Sequence, residues 1–471
     1  MRRKMSKFHS SVSRRDFMKA IGLAGAGIGG AALVSPVFHD LDEAMSADAN
    51  HPGRPWWIKE RDIENPTTEI DWQTWQRYDQ NKNAKKTSGL YMPADQYKAQ
   101  VTDKNTAFSK QWMLDKKPGY TLWDKVLSSS ATGPTAAWVV SGIKGPDALG
   151  VPKYTGTPEE NARLLRSTLK LYGASITGNM ALNDRTKKLV FQEFEFRDVP
   201  QGLTDAKGIN VIPSNVPLWA IGLGCPNSVD NIKTSPSNTS YATAGLGHIM
   251  VEVTGTSTQK FLLGIGYQCM FGGYENAYQH PGLDAMVGMT ELGRACNHGI
   301  SPTTGIAFTP TSLTTDLELA PSNPIDAGIT RFCESCKKCS DVCPSGALTH
   351  DGQSWDVQGG WSNPGHKQFQ NNMVNCQCYR TMLGQCSTCE GVCVFTKHGS
   401  AMVHQVVKGV TSTTGVFNGF FRQMDDAFGY GPQGFKAGNG PDNGKFNDLA
   451  TEWWNKELPA WGYDVKNPYL Q

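Results

Sequence analysis

The sequence predicts a mixed α/β (α+β) protein that closes on a compact cysteine-rich domain. Two observations carry this. Helix-like and strand-like patterns alternate from about residue 160 to 320. Nine of the 12 cysteines fall between Cys333 and Cys393, and none precedes Cys225. A disulfide scaffold spreads its cysteines through a small domain, whereas crowding of this kind points to metal binding.

Taken in chain order, the first element is a signal. Ser13-Arg14-Arg15-Asp16-Phe17-Met18-Lys19 precedes an uncharged Gly- and Ala-rich run, Ala20 to Val34, and Ala47-Asp48-Ala49 offers a cleavage site before Asn50. The run is too short and too weakly apolar for a comfortable membrane span, and the paired arginines followed by Phe and Lys fit the twin-arginine route. That route and its translocation machinery export folded proteins. Metal clusters can therefore be assembled on reduced thiolates before the chain meets an oxidising compartment.

Residues 50–155 form an aromatic-rich N-terminal unit, with Pro55-Trp56-Trp57-Ile58 and Ile70-Asp71-Trp72-Gln73-Thr74-Trp75 as examples. It reads as irregular chain with short helices wrapped around other units, its tryptophans serving as core anchors. Thr157-Pro158-Glu159-Glu160 caps a helix running to Tyr172. Leu189–Phe196 and Val216–Gly224 read as strands, and Thr256–Gly266 and Met286–Cys296 as helices. Residues 326–400 are the cluster domain, and 401–471 a Gly- and aromatic-rich C-terminal extension that packs on the domain at 156–325.

Cys333-Glu-Ser-Cys336-Lys-Lys-Cys339-Ser-Asp-Val-Cys343-Pro344 has the bacterial ferredoxin spacing C-x2-C-x2-C-x3-C-P. Three thiolates at that spacing hold one [4Fe-4S] cubane, and the fourth serves the other. A second set follows at Cys376, Cys386, Cys389 and Cys393. Interleaving assigns Cys333, Cys336, Cys339 and Cys393 to cluster one, and Cys343, Cys376, Cys386 and Cys389 to cluster two. Cys378 competes with Cys376 for one corner. A zinc ribbon needs paired C-x2-C knuckles instead of a triple-cysteine run. Two adjacent cubanes form a one-electron wire.

The net charge of +2 lacks the basic excess of a nucleic-acid binder, so no nucleic-acid partner is expected. No dinucleotide fingerprint, P-loop or zinc-protease motif occurs. About 270 residues between signal and clusters exceed what a simple relay needs. Two classes stay open, an electron-relay subunit of a larger exported oxidoreductase and an enzyme with its own catalytic centre.

The order of features resembles the respiratory, corrinoid-dependent reductive dehalogenases. The resemblance rests on Ser13–Lys19, Pro55-Trp-Trp-Ile-Lys-Glu-Arg-Asp62, Pro66-Thr-Thr-Glu-Ile-Asp-Trp72, Pro324–Cys339, Cys393-Val-Phe-Thr-Lys397 and Met424-Asp-Asp-Ala-Phe-Gly-Tyr-Gly431. It implies a nitroreductase-like corrinoid-binding domain at 156–325 with a C-terminal two-cluster ferredoxin-like domain. It implies a base-off corrinoid (cobalamin-type), whose Co(I) form cleaves a carbon–halogen bond and is re-reduced through the clusters. Other implied features are a small organohalide substrate, an upstream respiratory electron donor and a small hydrophobic membrane-anchor protein. The enzyme would sit at the outer face of the cytoplasmic membrane. Members often use a Tyr proton donor supported by an Asn and an Arg. This sequence departs from that pattern, with His248 at the Tyr position, Asn276 at the Asn and Thr309 near the Arg. His248 is then the candidate donor, with Tyr241 and Tyr274 as rivals. Cys269 and Cys296 are pocket candidates, although buried free cysteines are common. Epoxyqueuosine reductase shares the cofactor set, but its tRNA substrate fits neither the export signal nor the charge.

Overall fold

The computed structural model describes residues 54–55, 57–80, 92–130, 136–273, 277–295, 299–357, 362–396, 402–430 and 434–462. The signal segment, Asn276, Tyr274 and Cys296 lie outside the described residues.

Strand β1 (Lys59–Glu60) opens the described chain, followed by irregular structure and the helices Asp103–Leu114 and Leu122–Ser130. This segment is tied to later ones by polar anchors on its aromatic and basic side chains. The Trp75 indole donates to Lys188 O at 3.3 Å, Arg77 Nε to Val190 O at 3.1 Å, and Trp138 Nε1 to Val211 O at 3.2 Å. Each ends on a main-chain carbonyl of the unit that follows, two of them in the turn around Leu189 and one in β5.

Helix α1 (Pro158–Leu171) starts where the sequence places it. Thr157 Oγ1 accepts from Glu160 N at 3.3 Å while Glu160 Oε2 accepts from Thr157 N at 2.9 Å. This capping box contributes about 1 kcal/mol. The chain continues through β2 (Ile176–Ala181), β3 (Glu195–Arg197), β4 (Leu203–Thr204), β5 (Asn210–Pro213) and β6 (Trp219–Pro226). Helix α2 (Asn238–Gly264), β7 (Cys269–Met270), helix α3 (His280–Met286), β8 (Phe308–Thr315) and β9 (Ile325–Asp326) follow.

The main sheet has the order β2-β6-β8-β7, antiparallel throughout. Small sheets β3-β5-β4 and β1-β9 flank it. The fold is therefore α+β. β6 runs through the centre, so both of its faces are covered. Ile221, Leu223 and Cys225 pack with Leu165 and Leu169 of α1 and with Val251 and Leu262 of α2. Ala220 faces the other core, with Leu283, Met286 and Val287. The alternation is that of a strand buried on both sides.

Three elements differ from the sequence reading. Leu189–Phe196 is not a strand: Thr186–Leu189 is a 3-10 turn, and only Glu195–Arg197 joins a sheet. The Thr256–Gly266 helix is the end of a much longer one, α2, capped at Ser237. Met286–Cys296 is not a helix, because α3 ends at Met286. Gly288 has φ +70°, and a Cβ there would meet Asn323 O at 2.0 Å. The chain turns there as only glycine allows.

Candidate active site

Helix α4 (Ile329–Cys336) carries Cys333 and Cys336, and α5 (Lys338–Asp341) carries Cys339. Between them Lys337 sits in the left-handed region at φ 52°, breaking the helix so that the third cysteine turns inward. Cys333, Cys336, Cys339 and Cys393 are all buried in one core with Ile300, Ile306, Phe332 and Phe395. Burial above all, then their own mutual repulsion, holds the Cys333 and Cys339 thiols well above the ordinary range. Cys336 is pushed up to about 11 by the same causes. Four such thiols side by side suit an iron cluster, whose binding replaces their protons.

Helices α6 (Met373–Leu383) and α7 (Thr388–Val392) frame the second group. Cys343, Cys376, Cys386 and Cys389 line one cavity together with Pro344, Tyr379 and Glu390. Cys378 does not line it. Two positions along a helix face different sides, so Cys376 and Cys378 are not interchangeable. Hydroxyls surround this group: Ser345 Oγ lies 3.4 Å from Cys343 Sγ and Thr388 Oγ1 3.4 Å from Cys386 Sγ. The Ser235 hydroxyl lies 3.9 Å from Cys386 Sγ and accepts from Ser387 N at 2.6 Å.

Ser235 leads directly into α2, whose N-cap Ser237 accepts from Ser240 N. The second cysteine group thus sits at the start of the helix that carries Tyr241 and His248. About half of α2 is buried, and Tyr241, Ala244, Gly245 and His248 are among its half-buried residues. Their spacing of three, four and seven residues places them on one helix face. Between the two polar rings that face carries only the small Ala244 and Gly245. Burial pushes the His248 imidazole down to about 4, so it is neutral at physiological pH. At Gly247 the helix presses on β8: a Cβ there would meet Thr309 Oγ1 at 2.0 Å. Thr309 is buried and donates to Asn227 Oδ1 at 3.1 Å. Cys269 and Cys225 are buried beneath the sheet among apolar side chains, and burial pushes the Cys225 thiol up to about 12. They read as packing residues.

Sequence reasoning missed Glu291 and Arg294. Both lie in the segment expected to be helical, and both turn their side chains onto the cysteine loop. Glu291 is 1% exposed and accepts from Ala327 N at 2.6 Å, Ile329 N at 3.3 Å, Thr330 N at 3.3 Å and Thr330 Oγ1 at 3.1 Å. It is the N-terminal cap of α4, supplied from 36 to 39 residues away. Nothing local in the sequence marks it.

The model of the reductive dehalogenase subunit family matches residues 53–195 and 189–319. A chloroethene reductive dehalogenase of Dehalococcoides mccartyi strain VS is 30% identical over 98% of this chain and 99% of that one. The chain belongs to the reductive dehalogenase family. A trichloroethene reductive dehalogenase of Dehalococcoides mccartyi strain 195 is 29% identical over the same shares. This reductive dehalogenase is therefore an oxidoreductase acting on carbon–halogen bonds. The bare relay reading is not favoured, because the relatives matched end to end are themselves dehalogenases. Among solved structures, the catabolic reductive dehalogenase NpRdhA in complex with 3-bromo-4-hydroxybenzoic acid superposes with a TM-score of 0.60 at 16% identity, over 82% of this chain and 51% of that one. Another, reported as suggesting a mechanism for B12-dependent dehalogenation, gives 0.59 at 16% identity, over 88% and 53%. The chain spans about half the length of these structures, and the likeness shows a shared fold.

Proposed function

We propose that this chain is a catalytic subunit that replaces halogen by hydrogen on a small organohalide, using a base-off corrinoid and two [4Fe-4S] clusters. The observation that carries the reading is the gathering of eight cysteines, four of them lining one cavity at the start of α2 and the other four buried in the core that adjoins it through Cys343. Cys333, Cys336, Cys339 and Cys393 would hold one cluster, and Cys343, Cys376, Cys386 and Cys389 the other. The donor sets fit, the first offering four buried thiols and the second one buried and three half-buried thiols around a cavity. The half-buried face of α2 between Tyr241 and His248 suits a flat macrocycle, because Ala244 and Gly245 put little side chain on it. When bound, the corrinoid supplies the low-valent metal chemistry that breaks the carbon–halogen bond.

The chain's own residues do the rest. The apolar core around the first cysteine group keeps water out and strengthens local electrostatics. Ser235, Ser345 and Thr388 aim hydroxyls at the second group. His248 and Tyr241 are the proton-bearing groups on that face of α2, with Asn276 as their proposed support. A neutral His248 offers an N–H that hydrogen-bonds to negative charge developing beside it; to deliver a proton it first takes one up from solvent, which that charge favours by raising the imidazolium pKa from about 4. Chloroethenes are the first substrate class to screen, since the full-length relatives are named for chloroethene and trichloroethene.

Ser13-Arg14-Arg15 supports export by the twin-arginine route to the outer face of the cytoplasmic membrane. Among the described residues no helix is long and apolar enough to cross a membrane. A small hydrophobic anchor protein would hold the enzyme there, and a respiratory donor would feed it electrons. The test is metal analysis of anaerobically reconstituted protein. About eight iron and one cobalt per chain are expected. Eight iron without cobalt in the presence of corrinoid overturns the catalytic reading.

A further inference from the structure

Four basic side chains lie near the first cysteine group, and they are not equivalent: Arg422 acts on Cys336 and pairs with Asp341 at 2.6 Å. Lys338 is 1% exposed, but it is paired with Asp425 and, at 3.0 Å, with Asp426. Lys408 donates to Pro302 O at 2.7 Å, lies 5.8 Å from the Trp57 ring, and acts electrostatically on Cys393. Arg294 is 1% exposed, and among the described residues every hydrogen bond it donates ends on a main-chain carbonyl. Nε and Nη2 reach Cys333 O at 3.1 and 3.0 Å, and Nη2 also reaches Glu334 O at 3.4 Å. Nη1 reaches Thr349 O at 2.8 Å and Asp351 O at 2.6 Å. The Phe369 ring covers the guanidinium, 4.3 Å from its centroid.

A guanidinium is always charged, and a buried charge without a counter-ion is costly. Among the described residues no carboxylate pairs with this one. Its Nε and Nη2 sit on Cys333 O, and a Cβ at the neighbouring Gly293 would meet Cys333 Sγ at 3.0 Å, so the charge lies beside the thiolates of the first group. Its natural counter-ion is therefore what those thiolates hold.

We infer that Arg294 is the positioning and charge-setting residue of cluster one: it clamps the two arms of the cysteine loop, at Cys333–Glu334 and Thr349–Asp351, and raises that cluster's reduction potential. The inference rests on the two-cluster reading above. A [4Fe-4S] cluster with four thiolates carries a charge of about −2 oxidised and −3 reduced, so one electron from a low-potential donor adds one negative charge. A fixed cation in a buried setting favours the reduced state. At an effective dielectric constant of about 20, the effect of one charge within several ångströms is about tenfold or more in the electron-sharing equilibrium between the clusters. Cluster one thereby holds the electron more firmly than its thiolates alone would allow.

The test is an EPR-monitored redox titration of the reconstituted protein, with dithionite as reductant, for wild type, Arg294→Gln and Arg294→Lys. Iron is measured first, because about eight per chain establishes the two-cluster reading independently of the potentials. Cys339→Ser identifies which signal belongs to cluster one. Arg294→Gln should shift electron sharing about tenfold toward cluster two, a fall of ~59 mV in one midpoint, while Arg294→Lys stays near wild type. Should Arg294→Gln lose iron, Lys408→Gln supplies an independent removal of charge on the Cys393 side, and lowering of the same midpoint is expected. Unchanged midpoints in an iron-replete Arg294→Gln protein overturn the inference. So does an equal fall in Arg294→Gln and Arg294→Lys, which makes the effect one of loop geometry alone. If Arg294→Gln loses iron, an unchanged midpoint in Lys408→Gln overturns it.

Discussion

Removing the Glu291 side chain should loosen the first cysteine group without touching a cysteine. Glu291→Ala deletes an acceptor for three backbone N–H groups and one hydroxyl at the start of α4. Each buried donor left without a partner costs about 1–3 kcal/mol. Against this stands relief, because burial raises the Glu291 pKa and so part of the carboxylate's own desolvation is recovered. The net loss should be about 3–5 kcal/mol, in the range for breaking a buried polar network. Glu291→Gln keeps one oxygen and turns an NH2 toward the remaining donors, so it should lose about half as much. The assay is anaerobic chemical denaturation of the reconstituted protein, followed by both far-UV CD and cluster absorbance. The cluster absorbance should fall at lower denaturant than the helical signal in Glu291→Ala. The reasoning is refuted if Glu291→Ala stays within 1 kcal/mol of wild type with both signals coincident.

Two further predictions concern the sites. Cys376→Ser should lower iron toward about four per chain while Cys378→Ser leaves about eight, since only Cys376 lines the second cavity; equal losses measured by iron analysis would undo that assignment. His248 has its folded pKa depressed from 6.5 to about 4, so below pH 6.5 the unfolded chain binds more protons and stability falls as pH drops toward 4. The contribution is at most ~3 kcal/mol, and His248→Gln should flatten the acid limb of a denaturation-against-pH profile between pH 6.5 and 4. An unaltered limb would mean that the ring is solvated.

What the sequence made legible followed from short-range rules. The cysteine spacing, the Thr157 capping box and the apolar β6 are each written within a dozen residues. The misread elements are those decided at long range. Helix α2 begins 18 residues before the stretch read as helical, because its first half is rich in Thr, Ser and Gly, which are poor helix formers. It is held by packing: a Cβ at Gly255 would meet the Phe271 ring at 2.2 Å, so glycine permits the close approach. The segment after Met286 has helical periodicity, yet Glu291 and Arg294 spend it on satisfying the cysteine loop. His248 carries no local motif either. Only the family resemblance singled it out, and the structure adds that it is half-buried and neutral.

The same long-range logic joins two motifs that look unrelated in the sequence. Lys338 stands inside the cysteine run, where a surface-seeking side chain is out of place, yet it is 1% exposed. Asp425 and Asp426 stand 87 and 88 residues later, in Met424–Gly431, and they answer its charge. Arg422 of helix Asn418–Asp425 adds a more exposed pair with Asp341 at 2.6 Å. A buried ion pair adds little net stability when intact, but removal of one partner leaves an uncompensated charge at a cost of about 3–5 kcal/mol. The C-terminal extension is therefore bound to the cysteine run by penalty more than by attraction. Neither motif tolerates change alone, and the extension closes over the first cysteine group as part of the same buried network.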